Sequence, residues 1–316
     1  MARRRDVRCD VNMYEGFERF EIPTSDPEVK IVGRVGGRGP AVLLLHGNPL
    51  THVHWHLVAP RLAEHFTVVA TDLRGYGDSS KPRGTADHTN YSFRRMAQDQ
   101  VDVMRHLGFD RFRVAGHDRG ARTAFRMALD HPDRVTALAT FDVVPTGDVW
   151  ARADANLALL YWHWSFLAQP APLPERMIAA DPGAFFDLHV RGLGVGRAPG
   201  RYPEVVLDAY RALLDDAGTV EAICEDYRAG ATVDREHDEA DRGRRRIECP
   251  VLVMWSARGA LPRLYGDVLE VWRPWAREVS GRGLDATHFL VEDEPEAVAY
   301  ELIALLDRSP SHVMEV

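Results

Sequence analysis

The sequence has few cysteines, no long hydrophobic run and no excess of positive charge, and each of these absences excludes a class of protein. Its three cysteines, Cys9, Cys224 and Cys249, show no CxxC pair and no histidine spacing typical of a metal site. We therefore expect no structural disulfide and no metal, as is usual in a reducing cytoplasm. No stretch approaches the roughly 20 apolar residues that span a bilayer. With a mean hydropathy of −0.28, the sequence predicts a soluble, cytoplasmic protein.

The net charge of −8 argues against nucleic acid and anionic membranes as partners. The longest basic cluster beyond the N-terminus, at 244–246, is too short to reverse this charge. An anionic substrate would therefore need local cations. The N-terminal segment MARRRDVRCDVN is basic, but no apolar segment follows it, so we expect a solvated extension and not a signal peptide.

Short apolar runs alternate with longer amphipathic segments over much of the chain. The runs are nearly continuously apolar, as in parallel strands covered on both faces. They occupy residues 41–47, 66–75, 112–118, 135–142 and 250–257. The segments at 92–109 and 119–132 have helical periodicity. This βαβα order predicts an α/β fold with a doubly wound, mostly parallel sheet.

The strand pattern disappears between the fourth and fifth runs, where aromatic and helical patterns replace it. We interpret residues 146–246 as an inserted helical cap and residues 1–145 and 247–316 as the core. The charged stretch at 234–246 is expected to be an exposed return to the core.

The segment Gly116-His117-Asp118-Arg119-Gly120 has the spacing of a nucleophile elbow, with a carboxylate in the central position. The flanking glycines suit the tight packing that such a strained turn requires. An aspartate before a helix is more often an N-cap, but the HGNP loop at 46–49 and a late histidine favour a nucleophile. A carboxylate can displace a leaving group from a saturated carbon and form an alkyl ester, which a base-activated water then hydrolyses.

His288 follows the last core segment and is the predicted base, activating water. Asp142, after the fourth run, is the predicted orienting acid, because the end of the fifth run has no carboxylate. Three acidic residues close to His288 in sequence remain alternatives: Asp285, Glu292 and Asp293. The backbone amides of Asn48 and Arg119 are the predicted oxyanion hole.

Arg119 and Arg122 lie three residues apart at the start of the predicted helix, so their side chains can reach one region. Two guanidinium groups beside a nucleophile suggest a substrate carboxylate bound by charge-assisted hydrogen bonds. Arg126 is interpreted as solvated or paired with an acidic neighbour. In the cap, His163, Trp164 and Tyr227 are aromatic residues with polar groups, and we expect them to face the site, although each of them alone is more typical of packing within the cap.

The motifs HGNPLTHVHWH, AGHDRGARTAFRMALDHP, YWHWSFLAQPAPLPE and EDYRAG together resemble the haloacetate dehalogenases of the α/β-hydrolase superfamily, in particular the fluoroacetate dehalogenase branch. The resemblance extends over most of the chain. It implies a cofactor-free enzyme, often homodimeric, that converts haloacetate and water to glycolate and halide. Asn48 departs from several relatives, which carry an aromatic residue there, and this affects the expected pocket width and halide preference.

Position by position, the resemblance implies Asp118 as nucleophile, His288 as base and Asp142 as triad acid. It implies that Arg119 and Arg122 hold the substrate carboxylate. The residues implied to bind the leaving halide are His163, Trp164 and Tyr227. The alternatives are an epoxide hydrolase, which uses the same Asp-His-Asp chemistry with two cap tyrosines, and a non-catalytic binding protein of the same fold.

Overall fold

The structure is a computed structural model that describes residues 13–196, 198 and 200–307. The basic N-terminal segment and Cys9 lie outside the described residues. Cys224 and Cys249 carry free thiols. Within the described ranges, no helix combines the length and the apolar composition that crossing a membrane requires.

One eight-stranded sheet forms the centre of the molecule, in the order β1-β2-β4-β3-β5-β6-β7-β8. The strand β2 is antiparallel to its neighbours β1 and β4. The other five neighbouring pairs of the sheet, which join β4, β3, β5, β6, β7 and β8 in that order, are parallel. The strands are β1 (Glu18–Pro23), β2 (Lys30–Gly37), β3 (Ala41–Leu45), β4 (Thr67–Thr71), β5 (Phe112–His117), β6 (Val135–Phe141), β7 (Val251–Ser256) and β8 (Val279–Leu284). The predicted mostly parallel α/β sheet is therefore confirmed, and its five apolar runs correspond to β3 to β7.

Helices cover both faces of this sheet. The first three are α1 (Ala59–Leu62), α2 (Phe93–His106) and α3 (Arg119–Asp130). In β3, Leu43 and Leu45 pack into the same apolar cluster as α2 and α3, while Val42 and Leu44 belong to the opposite cluster with α1. Both faces of the strand are thus buried, which is why it reads as a continuous apolar run.

Helical segments fill the connection between β6 and β7. They are α4 (Thr146–Ala151), α5 (Ala155–Leu160), α6 (Trp162–Leu167), α7 (Leu173–Ala180), α8 (Pro182–Phe185), a π-helical segment (Phe186–Val190), α9 (Arg191–Leu193), α10 (Glu204–Asp215), α11 (Ala217–Ala231) and α12 (Val233–Asp241). The core then resumes, and its remaining helices are α13 (Ala260–Tyr265), α14 (Val268–Trp272), α15 (Leu290–Asp293) and α16 (Pro295–Leu306).

The expectation that the charged stretch at 234–246 is an exposed return was wrong for its first half. Residues up to Asp241 form α12, and Asp238 is buried. Arg126 of α3, only 2% exposed, donates hydrogen bonds to Asp238 at 2.6 Å and to Asp241 at 2.5 Å. A buried guanidinium needs carboxylate partners, so these acids face inward. Arg126 is accordingly the partner of acidic residues and is not solvated.

Candidate active site

Asp118 occupies the sharp turn between β5 and α3. Its backbone has φ 45° and ψ −115°, outside the regions that most residues adopt. A Cβ atom on Gly116 would lie 2.5 Å from the carbonyl carbon of Gly120, and one on Gly120 would lie 2.5 Å from the Leu45 carbonyl oxygen. Only glycine fits at these two positions. The Asp118 side chain makes no hydrogen bond that caps α3, so it is available to the cavity beside it.

His288 and Asp142 lie next to this turn. The Nδ1 atom of His288 lies 2.6 Å from Oδ2 of Asp142, and the other Asp142 oxygen accepts a hydrogen bond from the Ser256 amide at 2.9 Å. Asp142 is 3% exposed and follows β6, as its sequence position predicted. With Nδ1 donating to Asp142, the Nε2 atom of His288 is left for the cavity, which His288 lines.

The three alternative acids have other partners. Asp285 pairs with Arg258 at the surface. Glu292 is bonded to His54 at 3.0 Å and accepts from the Tyr210 hydroxyl at 2.7 Å. Asp293 accepts hydrogen bonds from Thr287 and from the Tyr202 hydroxyl.

The charges around Asp118 favour its ionised form. Burial alone would raise its pKa, but the positive charges of His288, Arg122 and Arg119 outweigh burial and lower it. For His288, burial alone would lower the pKa, whereas the hydrogen bond and charge of Asp142, with the charge of Asp118, raise it above its ordinary value. The site therefore holds an ionised carboxylate beside an imidazole whose pKa is raised.

Asn48, in the loop after β3, contacts Asp118 through its backbone. Its amide donates to Oδ2 of Asp118 at 3.1 Å. Its side-chain nitrogen lies 3.4 Å from the Tyr227 hydroxyl. The backbone amide of Asn48 thus holds one of the two carboxylate oxygens of Asp118. The Arg119 amide, proposed as the second donor, belongs to the first residue of α3.

The two predicted arginines have different surroundings. Arg119 donates to Asp226 from Nε at 2.9 Å and also from Nη2, while its buried Nη1 has no hydrogen-bond partner in the described part of the chain. Burial alone would lower the pKa of Arg119, but the charge of Asp226 raises it well above its usual range. Arg122 donates to the Val144 carbonyl and to Thr146, and its buried Nε has no hydrogen-bond partner among the residues that the structure describes. Arg122 lines the cavity, whereas Arg119 is not among the described residues that line it, and Nη1 is the Arg119 nitrogen open to a further contact.

The three predicted cap aromatics line the same cavity as Asp118. The Arg122 guanidinium lies 4.5 Å from the ring centre of Trp164, and that of Arg119 lies 4.3 Å from the ring centre of Tyr227. Burial lowers the pKa of His163 well below its ordinary value and raises that of Tyr227, so both are neutral donors. The space open to the centre of a water molecule is about 20 Å³, and one water needs about 10–15 Å³ on this measure. The closed cavity suits only a very small ligand.

Sequence reasoning missed other side chains at the site. Asp226, buried beside Tyr227 in α11, is the partner of Arg119. Three further residues line the cavity: Tyr161, His189 and Leu193. Two signals could have identified Asp226 from the sequence. It is adjacent to Tyr227, and a buried arginine needs a carboxylate partner.

A larger cleft of about 740 Å³ adjoins the cavity. The two share four lining residues: Asp142, Tyr161, Leu193 and His288. The cleft therefore reaches the His288 side of the site, where it can supply water.

Similarity to known proteins agrees with this geometry. A family model described as the alpha/beta hydrolase fold matches residues 40–262. The chain is 46% identical to the fluoroacetate dehalogenase of Burkholderia sp over 95% of its own length and 97% of that protein. It is 31% identical to a soluble epoxide hydrolase of Corynebacterium sp. (strain C12), over 83% of this chain and 88% of that one. The crystal structure of ALR0039 from Nostoc sp PCC 7120 superposes with a TM-score of 0.88 at 46% identity, covering 93% of this chain and 99% of the other. The chain therefore belongs to the α/β-hydrolase fold family, in the branch that includes the fluoroacetate dehalogenase.

Proposed function

We propose that the protein hydrolyses short 2-haloacids, converting haloacetate and water to glycolate and halide through an ester of Asp118. The observation that carries this proposal is a carboxylate at the nucleophile elbow that shares a very small cavity with a cationic Arg122. The 46% identity to a fluoroacetate dehalogenase supports the same reaction class.

In the first step, Oδ1 of Asp118 attacks the carbon that bears the halogen. The oxygen–carbon bond forms as the carbon–halogen bond breaks, and the bonding pair leaves with the halide. Arg122, with Nη1 of Arg119, would bind the substrate carboxylate and so orient this carbon. The departing halide would accept hydrogen bonds from His163, Trp164 and Tyr227.

In the second step, His288 takes a proton from water, and the hydroxide adds to the carbonyl carbon of the Asp118 ester. The negative charge develops on Oδ2, the oxygen to which the Asn48 amide already donates. The ester bond then breaks, and glycolate leaves with a proton from His288. The regenerated Asp118 carboxyl loses its proton to solvent, so that one proton and one halide ion are released for each glycolate formed. Esterification also removes the negative charge of Asp118, one of the causes of the raised pKa of His288. The imidazole thus loses proton affinity just before it must act as a base in its neutral form.

Halide release from fluoroacetate, chloroacetate and bromoacetate tests the proposal. Asp118→Ala should abolish release from all three, because both oxygens of Asp142, the other carboxylate that lines the described cavity, are held by His288 and the Ser256 amide. Asp285→Ala removes an exposed carboxylate outside this cavity and serves as the matched control, with release retained. Turnover by the Asp118 variant would contradict the ester mechanism.

Epoxide hydrolysis is the second candidate, because Tyr161 and Tyr227 both line the cavity and could donate to an epoxide oxygen. The buried guanidinium of Arg122 would have no anionic partner on a neutral epoxide. Release of halide from chloroacetate without hydrolysis of styrene oxide would support the dehalogenase, and the reverse would support the epoxide hydrolase.

We also propose that the enzyme is a cytoplasmic homodimer that works without a cofactor, as the family resemblance implies. Three large apolar side chains of the cap are exposed and support an interface there: Leu159, Trp162 and Leu188. Light scattering after size exclusion would give the dimer mass. Activity that survives dialysis against a chelator would agree with cofactor independence.

A further inference from the structure

His189 is a buried polar residue at the site that the mechanism above does not use. It lies in the π-helical segment Phe186–Val190 and is 3% exposed. Its ring lines the cavity that also contains Asp118 and His288. Its Nε2 atom has no hydrogen-bond partner within the part of the chain that the structure describes. An unpaired buried nitrogen is unfavourable, so a ligand atom is expected to meet it.

The ring of His189 is fixed on the halide side of the site. Its centre lies 4.3 Å from that of His163, with an angle of 43° between the two planes. Trp162 and Phe185 pack around it, with ring centres at 5.5 Å and 5.2 Å. Among the described residues, the buried Nδ1 atom of His163 also has no hydrogen-bond partner. Two adjacent imidazoles, each with one such nitrogen, thus line a cavity that holds one or two water molecules.

Burial lowers the pKa of His189 to about 4, although the charge of Asp118 acts in the opposite direction. The ring is therefore neutral near pH 7 and offers a single N–H donor without a full charge. The burial of His163 has the same effect on its pKa. A small anion that accepts from several neutral donors at once, such as a halide, matches this pair of rings.

We propose that His189 is a fourth halide-binding residue, whose Nε2–H donates to the halogen of the substrate and to the departing halide next to His163. This inference rests on the proposed dehalogenase function. A neutral donor stabilises the developing halide charge without forming a full ion pair with the product. Fluoride accepts hydrogen bonds most strongly among the halides, so the contribution of His189 is largest for fluoroacetate.

Two substitutions of His189 distinguish the effect of its N–H donor from the effect of its ring packing. His189→Phe keeps a ring packed on His163 but removes the N–H, whereas His189→Gln places an amide donor near the position of Nε2. We expect His189→Phe to lower kcat/KM for fluoroacetate by about tenfold to a hundredfold, with a smaller loss for bromoacetate. His189→Gln should retain much of the wild-type kcat/KM for fluoroacetate. His106→Phe, at an exposed position at the end of α2, is the matched control.

Halide binding gives a readout that does not depend on turnover. Chloride should raise the Tm of the wild type at constant ionic strength, and this rise should shrink in His189→Phe but not in His106→Phe. If the wild type released no halide from any haloacetate yet kept this difference, the dehalogenase proposal would fail while the anion site remained. Wild-type behaviour of His189→Phe, equal losses for all halogens, or equal losses in the Phe and Gln variants would each overturn the assignment.

Discussion

Asp226→Asn tests the finding that Arg119 is held by a buried carboxylate. Both side chains of this pair are at most 1% exposed. The side-chain carboxylate of Asp226 accepts two hydrogen bonds from the guanidinium and one, at 2.9 Å, from the Tyr76 hydroxyl. The asparagine keeps the shape of the side chain but removes its charge, so Arg119 becomes an uncompensated buried cation.

Breaking a buried ion pair in this way costs about 3–5 kcal/mol of unfolding free energy. Asparagine still offers one acceptor oxygen, so we expect the lower end, about 3 kcal/mol. Each kcal/mol lowers the Tm of a domain of a few hundred residues by about 2–4 °C, so the expected shift is about 6–12 °C.

Thermal and urea unfolding of the purified protein measure this loss. Asp208→Asn, which neutralises a carboxylate 58% exposed in an ion pair with Arg211, is the matched control and should change stability by about 1 kcal/mol or less. The double variant Arg119→Met/Asp226→Leu should recover part of the loss, because it removes both charges. A shift in Asp226→Asn no larger than that of Asp208→Asn would refute the reasoning.

Three further predictions concern the reaction. The His288→Asn variant should release one halide ion per active site and no more, because the ester forms but water is not activated to hydrolyse it. Intact-protein and peptide mass spectrometry should find one carboxymethyl group on Asp118. Ester hydrolysis in the wild type should accelerate as pH rises, since neutral His288 is the base. The midpoint of this pH dependence should lie below the His288 pKa that NMR measures in the free enzyme. A midpoint at or above that pKa would contradict the loss of the Asp118 charge on esterification. Arg122→Lys should raise KM for haloacetate by about tenfold or more, because a lysine cannot donate in a planar fork; an unchanged KM would exclude Arg122 from carboxylate binding.

Five strands of the sheet were predictable because both of their faces are buried, which produces continuous apolar runs. The strand β8, with the sequence VSGRGL, was missed because most of its residues are partly exposed and two are glycines. The strands β1 and β2 lie towards one edge of the sheet and are likewise mixed in polarity. Their pairing depends on neighbours distant in sequence and not on a local pattern.

At the site, the elbow glycines and chain order predicted that Asp118, Asp142 and His288 belong together, with Asp285, Glu292 and Asp293 left open as alternatives to Asp142. The partners contributed by the cap were less accessible to such reasoning. Asp226 and His189 lie in helical segments, and whether they face the core depends on how the cap helices pack. The buried Asp238 shows the same limit, because its sequence surroundings are those of a solvated face.

The helical cap joins β6 to β7, which are neighbouring parallel strands paired from Leu138↔Val251 to Phe141↔Met254. Because these strands are parallel, the cap leaves the core at the carboxyl end of β6, and the chain returns to the sheet at the amino end of β7. During evolution, the cap can therefore be lengthened, shortened or replaced as a unit without a change in the register between β6 and β7. A graft of a relative's helical segment in place of residues 146–246 would therefore replace the cap side chains that line the cavity and leave Asp118, Asp142 and His288 unchanged.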